Sequence, residues 1–252
     1  MKKKILIFGA SSFIAKNYIN YDDYNHLICV TRKNKNDLIK KSNTTYKYID
    51  HLNVNKIKNL VVKNKIGIII NFISNNNNKI DINIDDLKII NDNTFPALQI
   101  LEAIKNTRIK YVCFDSFEKK KNKKTAYKLS KIILSEIYKY YSSKYKIKIK
   151  KINLPTVLGK FDKNKSRLLP YIFKNNKPNY PKSLIRFIFA GNLVRCIKNN
   201  INFNKKIKLK IYKKKANFFS MELIKYENQS MTQKNLITKE LFQIFKSYKK
   251  DD

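Results

Sequence analysis

The chain of 252 residues is short of glycine, with four, has no tryptophan, and sets 18 acidic residues against 55 basic ones, a formal charge of +37. Its three cysteines, Cys29, Cys113 and Cys196, are too few and too far apart for a disulfide framework or a metal knuckle. They read as free thiols in a reducing compartment, and no metal site is expected. No apolar run approaches the roughly 18–20 residues of a membrane-spanning helix, so no membrane segment is expected. Arginine is scarce as well: Arg32, Arg108, Arg167, Arg186 and Arg195 are the only five among the 55 basic residues. Sites that read phosphates and base edges favour the planar fork of Arg. The abundant Lys, Asn and Ile share A/T-rich codons, so the charge reads as base composition and no specific nucleic-acid partner is expected. A +37 surface will still cling to polyanions at low salt.

At 43% hydrophobic residues the chain has material for a real core. Its length suits one α/β domain, or one with a small appendage. Lys2-Lys3-Lys4 before Ile5-Leu6-Ile7-Phe8 has the outline of a secretory signal, but the apolar stretch breaks at Gly9 and Ser11-Ser12. A β-branched run that stops at Gly reads better as a buried strand entering a tight turn, so a cytoplasmic protein is expected.

Short apolar runs alternate with helical stretches through the first 115 residues. Strands are expected at 4–8, 26–31, 46–50, 67–72 and 110–114, with helices over 12–20, 53–64 and 92–106. This alternation calls for a parallel sheet covered on both faces. The longest helix is expected over 126–143, followed by a strand from Tyr145 to Leu154. Beyond Gly159 the pattern is less regular, interrupted by Pro170, Pro178 and Pro181, with a strand at 206–213 and a closing helix at 236–248. The Lys-rich stretch 119–124 reads as an exposed loop.

A strand running through Gly into a helix is where a doubly wound sheet takes a dinucleotide, because the helix N-terminus directs unpaired N–H groups at the pyrophosphate. The turn here is Gly9-Ala10-Ser11-Ser12-Phe13-Ile14-Ala15, with Ser12 and Ala15 at the second and third glycine positions of G-x-x-G-x-x-G. The second strand ends in Thr31-Arg32-Lys33 and not in the carboxylate that would bind the 2′-hydroxyl of NAD. Two cations there suit the 2′-phosphate of NADP, with NAD as the alternative. Further on, Tyr127 and Lys131 stand four residues apart at the start of the long helix, on one face. An ammonium beside a phenol favours the phenolate, which makes such a Tyr a usable general acid or base.

Gly9-x-x-Ser12-x-x-Ala15 and Tyr127-x-x-x-Lys131, at this spacing, resemble the extended short-chain dehydrogenase/reductase family of NAD(P)-dependent nucleotide-sugar epimerases, dehydratases and reductases. Further segments agree. Asn93–Ala103 resembles the family's helix that opens with Asn and ends Leu-Leu-Glu-Ala. Asn71-Phe72-Ile73-Ser74 stands where the family has a cofactor-lining His-Leu-Ala, and Asp50 matches an acidic residue that contacts adenine. Val157-Leu158-Gly159 resembles Val-Tyr-Gly, and Arg186–Val194 resembles Arg-x-Phe-Ile-x-Val-Asp-Asp-Val. The likeness runs from residue 3 to about 202. Asp115-Ser116-Phe117 and Leu169-Pro170-Tyr171-Ile172 look most like the CDP-abequose synthase type, NADPH-dependent reductases of a 4-keto-dideoxy sugar.

The resemblance implies a doubly wound Rossmann parallel sheet, with residues 1–160 binding NAD(P) and 161–252 forming a small, shortened C-terminal substrate lobe. It implies a cofactor held by Gly9, Ser11, Ser12, Phe13, Ile14, Thr31, Arg32, Asp50, Asn71, Phe72, Ile73, Asn93, Tyr127, Lys131 and Pro155. The catalytic group would be Tyr127, Lys131 and Ser116, the substrate a nucleotide sugar, and the assembly a homodimer through the Tyr127 helix. Several positions depart from the pattern. Phe114 occupies the place of the catalytic Ser or Thr at the end of the fifth strand, leaving Ser116 to supply a hydroxyl from two residues on. The dehydratases' Asp-Glu pair is missing, and Asn153 replaces an Arg. A 4-ketoreductase is the leading expectation, with a 4-epimerase that retains NAD or a non-catalytic NADP-binding protein as alternatives.

Overall fold

In the computed structural model the run Lys4–Phe8 (β1) is buried from Ile5 onward, which leaves it no exposed face. The structure describes residues 3–32, 38–75, 86–116, 125–165, 167–175, 177, 182–201, 209–233 and 235–249. The expected exposed loop at 119–124, Lys33, and residues 206–208 of the expected strand at 206–213 lie outside them. The chain divides into two compact units, Met1–Leu154 and Pro155–Asp252.

In the first unit β1 leads to helix α1 (Phe13–Tyr21), strands β2 (His26–Thr31) and β3 (Thr44–Tyr48), helix α2 (Val54–Asn64) and strand β4 (Ile68–Asn71). Helix α3 (Asp86–Ile104), strand β5 (Lys110–Ser116), helix α4 (Ala126–Tyr145) and strand β6 (Ile149–Leu154) follow. The strands lie in the order β3-β2-β1-β4-β5-β6 and every neighbouring pair is parallel. This is the expected doubly wound Rossmann sheet, and its order reverses between β1 and β4, the topological switch point. Leu6, Phe8, Ile28, Val30, Ile69 and Tyr111 form a core on one face with Ile57 and Val61 of α2, Ala97, Ile100 and Leu101 of α3, and Leu134 of α4. Because side chains alternate along a strand, Ile5, Ile7, Leu27, Cys29, Ile68 and Ile70 are buried on the other face.

Several element ends differ from the sequence reading. α3 begins at Asp86 and not at 92, although Asn91, Asp92 and Asn93 are poor helix formers and Pro96 sits inside it. Burial of Ile89, Ala97, Ile100 and Leu101 outweighs those local preferences. β3 is displaced two residues toward the N-terminus, and β5 runs on to Ser116.

The second unit contains β7 (Thr156–Leu158), α5 (Leu168–Asn175), β8 (Leu184–Phe189), α6 (Ala190–Asn200), β9 (Tyr212–Lys215), α7 (Ala216–Glu227) and α8 (Leu236–Lys249). β8 pairs in parallel with β7 and antiparallel with β9. Fully buried Phe187, Phe189, Phe219 and Phe245 centre its core, with Phe187 and Phe219 edge to face at 5.2 Å. Pro170 lies in the first turn of α5, where a missing N–H costs nothing. Of the expected strand at 206–213, the structure shows β9 from Tyr212.

Candidate active site

The carboxyl ends of β1, β2, β4 and β5 share one edge of the sheet, and the chain turns there at Gly9. This glycine has φ +72°, a left-handed conformation that Gly adopts without a Cβ penalty. A Cβ added to it would lie 2.9 Å from the Ile73 nitrogen and 3.0 Å from the Phe72 carbonyl carbon. The turn is therefore pressed against the backbone that follows β4. Ser12 is the N-cap of α1: its N–H donates to the Gly9 carbonyl at 2.9 Å, and its Oγ accepts from the Ala15 N–H at 3.3 Å. Ser11, Ser12, Phe13 and Ile14 are all half-buried at the helix N-terminus.

On one side of the turn the Ala10 N–H donates to the Val30 carbonyl at 3.2 Å, which holds the end of β2 alongside. Thr31 is buried, its carbonyl accepting from the Ile49 N–H at 2.9 Å, while Arg32 and Asp50 are exposed just beyond β2 and β3. On the other side the Phe72 N–H donates to the Phe8 carbonyl at 3.0 Å. Asn71 and Asn93 are buried. Asn93 donates to the Ile89 carbonyl at 2.9 Å, and it both accepts from the Asn75 N–H and donates to the Asn75 carbonyl at 2.8 Å.

The continuation of β5 changes the reading of its end. Phe114 lies within the strand, its ring stacked on Phe72 with centroids 4.8 Å apart and planes 14° from parallel. Ser116, half-buried and paired with Leu154 of β6, is the last strand residue, so Ser116 and not Phe114 stands at the strand end. Its N–H donates to Asp115 Oδ1 at 2.8 Å, and buried Asp115 has the Lys151 ammonium 3.7 Å from Oδ2.

The helix that crosses back from β5 must start at the same edge of the sheet. Thr125 caps α4 by accepting from the Lys128 N–H at 3.3 Å. Two residues later comes Tyr127, half-buried, with the Lys131 ammonium 5.3 Å from its ring centroid. Lys131 itself is 5% exposed. The Ser130 hydroxyl donates to the Tyr127 carbonyl at 2.7 Å, so the helix backbone at Tyr127 is also tied by a side chain.

Beneath this edge the sequence reading misses a polar cluster between β4, β5 and α4, formed by Asn71, Tyr111, Cys113 and Tyr138. Burial pushes the Cys113 thiol up to about 12 and raises both phenols well above their usual range. The one local signal was a Tyr inside an otherwise apolar strand. Of the expected site residues, Gly9, Ser11, Ser12, Phe13, Ile14, Thr31, Arg32, Asp50, Asn71, Phe72, Ile73, Asn93, Ser116, Tyr127 and Lys131 all belong to the first unit. Pro155, buried, is the first residue of the second. Among the described residues no three His, Cys, Asp or Glu side chains converge as a metal site, and no helix is long and apolar enough to cross a membrane.

Residues 5–196 match the NAD dependent epimerase/dehydratase family. No curated protein matches the chain. Among solved structures, the Bordetella bronchiseptica enzyme WbmH in complex with NAD+ superposes with a TM-score of 0.81 at 11% identity, covering 99% of each chain. A dTDP-glucose 4,6-dehydratase from Bacillus anthracis in complex with NAD gives 0.78 at 13% identity, covering 99% of this chain and 97% of that one. The Thermotoga maritima UDP-glucose 4-epimerase with UDP-glucose gives 0.76 at 10% identity, covering 98% and 99%. At such identities the likeness is one of fold.

Proposed function

The chain belongs to the NAD dependent epimerase/dehydratase family, and from that premise we propose that it uses NADPH to reduce the 4-keto group of a deoxy sugar attached to a nucleotide. The observation that carries the proposal is the Tyr127–Lys131 contact at the start of the helix that follows β5. The dinucleotide fits the residues at this edge: the tight Gly9 turn sets the N-terminus of α1 against it, with Ser11, Ser12, Phe13 and Ile14 at the positive helix end that suits a pyrophosphate. Arg32 would pair with the 2′-phosphate and Asp50 would face the adenine. Phe72 and Ile73 would line the nicotinamide end, and Asn71 and Asn93 would hold that lining.

When bound, the reduced dinucleotide supplies the hydride to the sugar carbon. Tyr127 gives its phenolic proton to the carbonyl oxygen, so that ketone, hydride and proton balance to an alcohol. The Lys131 ammonium stabilises the phenolate left behind, and the Ser116 hydroxyl donates to the oxygen as charge develops on it. The CDP-abequose synthase likeness makes a CDP-linked 4-keto-3,6-dideoxy sugar the first substrate to try.

A 4-epimerase is the second reading, favoured by the UDP-glucose 4-epimerase among the similar folds. A panel of enzymatically made 4-keto-deoxy nucleotide sugars and of 4-hydroxy nucleotide sugars, the first mixed with the protein and NADPH or NADH and the second with the protein and NAD+, separates the two. The reductase consumes NADPH stoichiometrically with one of them. An epimerase interconverts two sugars with no net consumption, and a non-catalytic binder does neither.

We also propose a homodimer through α3 and α4. Leu87 and Phe95 on α3, and Leu129, Ile132 and Tyr140 on α4, are exposed by 47–60% on two helices that pack together. Large apolar side chains left exposed along two neighbouring helices suit burial against a second copy. Sedimentation velocity should give a dimer for the wild type and a monomer for Ile132→Glu; a wild-type monomer at micromolar concentration refutes the pairing.

A further inference from the structure

The loop that follows β4 is held from both ends by buried carboxamides. Asn71 Oδ1 accepts the Ile73 N–H at 3.0 Å, two residues on, which closes a local turn of the Asx kind. Asn71 Nδ2 donates to the Tyr111 hydroxyl at 2.8 Å in a fully buried contact, and that hydroxyl is hydrogen-bonded in turn to Tyr138 of α4. At the far end, Asn93 of α3 grips both the N–H and the carbonyl of Asn75. Between the two grips the backbone of Phe72 and Ile73 lies against Gly9.

Chemistry fixes which way Asn71 faces. A backbone N–H can only donate, so the amide oxygen must point at Ile73, and the NH2 is left for Tyr111. Taking away the Tyr111 hydroxyl would strand that NH2 where it is buried. Turning the amide over would strip the Ile73 N–H of its acceptor instead. Tyr111, on the neighbouring strand, therefore sets the loop through Asn71. Both ends of the Asn71 amide are already engaged inside the protein.

We infer that Asn71, oriented by Tyr111, is a positioning residue: it fixes the backbone of residues 72–75 against the Gly9 turn in the conformation that a nicotinamide dinucleotide requires, without contacting the dinucleotide through its own side chain. This rests on the reading of the edge as a dinucleotide site.

The test is a titration of each folded protein with NADPH, followed by nicotinamide fluorescence in the absence of any sugar. Asn71→Leu keeps the volume and loses both hydrogen bonds, and its Kd should rise about tenfold. Asn71→Ser can accept the Ile73 N–H in a similar local turn and should recover most of that loss. Tyr111→Phe should raise Kd about threefold or more from beneath the sheet. Tyr141→Phe loses a comparable phenol bond, to Glu102 at 2.9 Å across α3 and α4, and should lower Tm while leaving Kd unchanged. Wild-type affinity in Asn71→Leu and Tyr111→Phe overturns the inference, as does Asn71→Ser binding as weakly as Asn71→Leu. If Asn71→Leu does not fold, Tyr111→Phe and Asn71→Ser decide. A wild type that binds neither NADPH nor NADH brings down the dinucleotide reading, and this inference with it.

Discussion

Tyr127→Phe should lower kcat with the keto sugar by about 10²- to 10⁴-fold, the usual worth of a positioned acid or base. The change removes one oxygen and leaves the ring, so the contact with the Lys131 ammonium 5.3 Å from the ring centroid survives in the variant. The Kd for NADPH, measured separately, should therefore stay within about twofold of wild type, because cation–π attraction at the ring face does not depend on the hydroxyl. Lys131→Met acts differently. Lys131 is buried, so replacing its ammonium removes both the charge that favours the phenolate and a group proposed to hold the dinucleotide. That variant should lose binding and turnover together. A Tyr127→Phe protein that turns over at the wild-type rate takes Tyr127 out of the chemistry.

Gly9→Ala should be the most damaging single substitution at the turn. A left-handed conformation costs a residue with a Cβ roughly 1–2 kcal/mol. The added carbon would also stand 2.9 and 3.0 Å from backbone atoms of Ile73 and Phe72, which cannot rotate away as a side chain could. Forcing an extra carbon into a packed site costs typically about 1–3 kcal/mol more. The sum, roughly 2–5 kcal/mol, corresponds to a fall in Tm on the order of 10 °C for a chain of this size. The turn that does form would sit away from β4, so dinucleotide affinity should fall with it. Gly67 is the internal control. A Cβ there meets nothing within 4 Å, so Gly67→Ala should change stability by no more than about 0.5 kcal/mol. Thermal melts of the two variants check the contrast; equal melting points remove the steric account of Gly9.

The sheet of the first unit was legible because its strands carry the pattern on their surface. His26–Thr31 matches β2 residue for residue, and the isoleucine run before Asn71 is β4. Strand ends were less legible. β3 lies at the sheet edge with three of its five residues exposed, so its polar Thr44 and Thr45 gave no sign of where pairing begins. β5 continues through Asp115 and Ser116 because β6 pairs with them, a partner that the local sequence does not announce. The second unit hid more, since the prolines read as interruptions and the aromatic residues of its core are spread from Phe187 to Phe245.

The site divides along the same line. Tyr127 and Lys131 could be found because four residues on a helix is a fixed geometry, and Gly9 because a strand and a helix flank it. The grip of Asn71 on Tyr111 spans 40 residues of sequence and exists only because β4 and β5 are neighbours. No local pattern encodes it.

Calorimetric titration of the wild-type protein with NADPH and with NADH tests the central claim most directly. The account predicts one saturable dinucleotide site per chain, tighter for NADPH than for NADH, with the difference narrowed by Arg32→Ala. Failure of both dinucleotides to saturate a folded wild-type protein would contradict it.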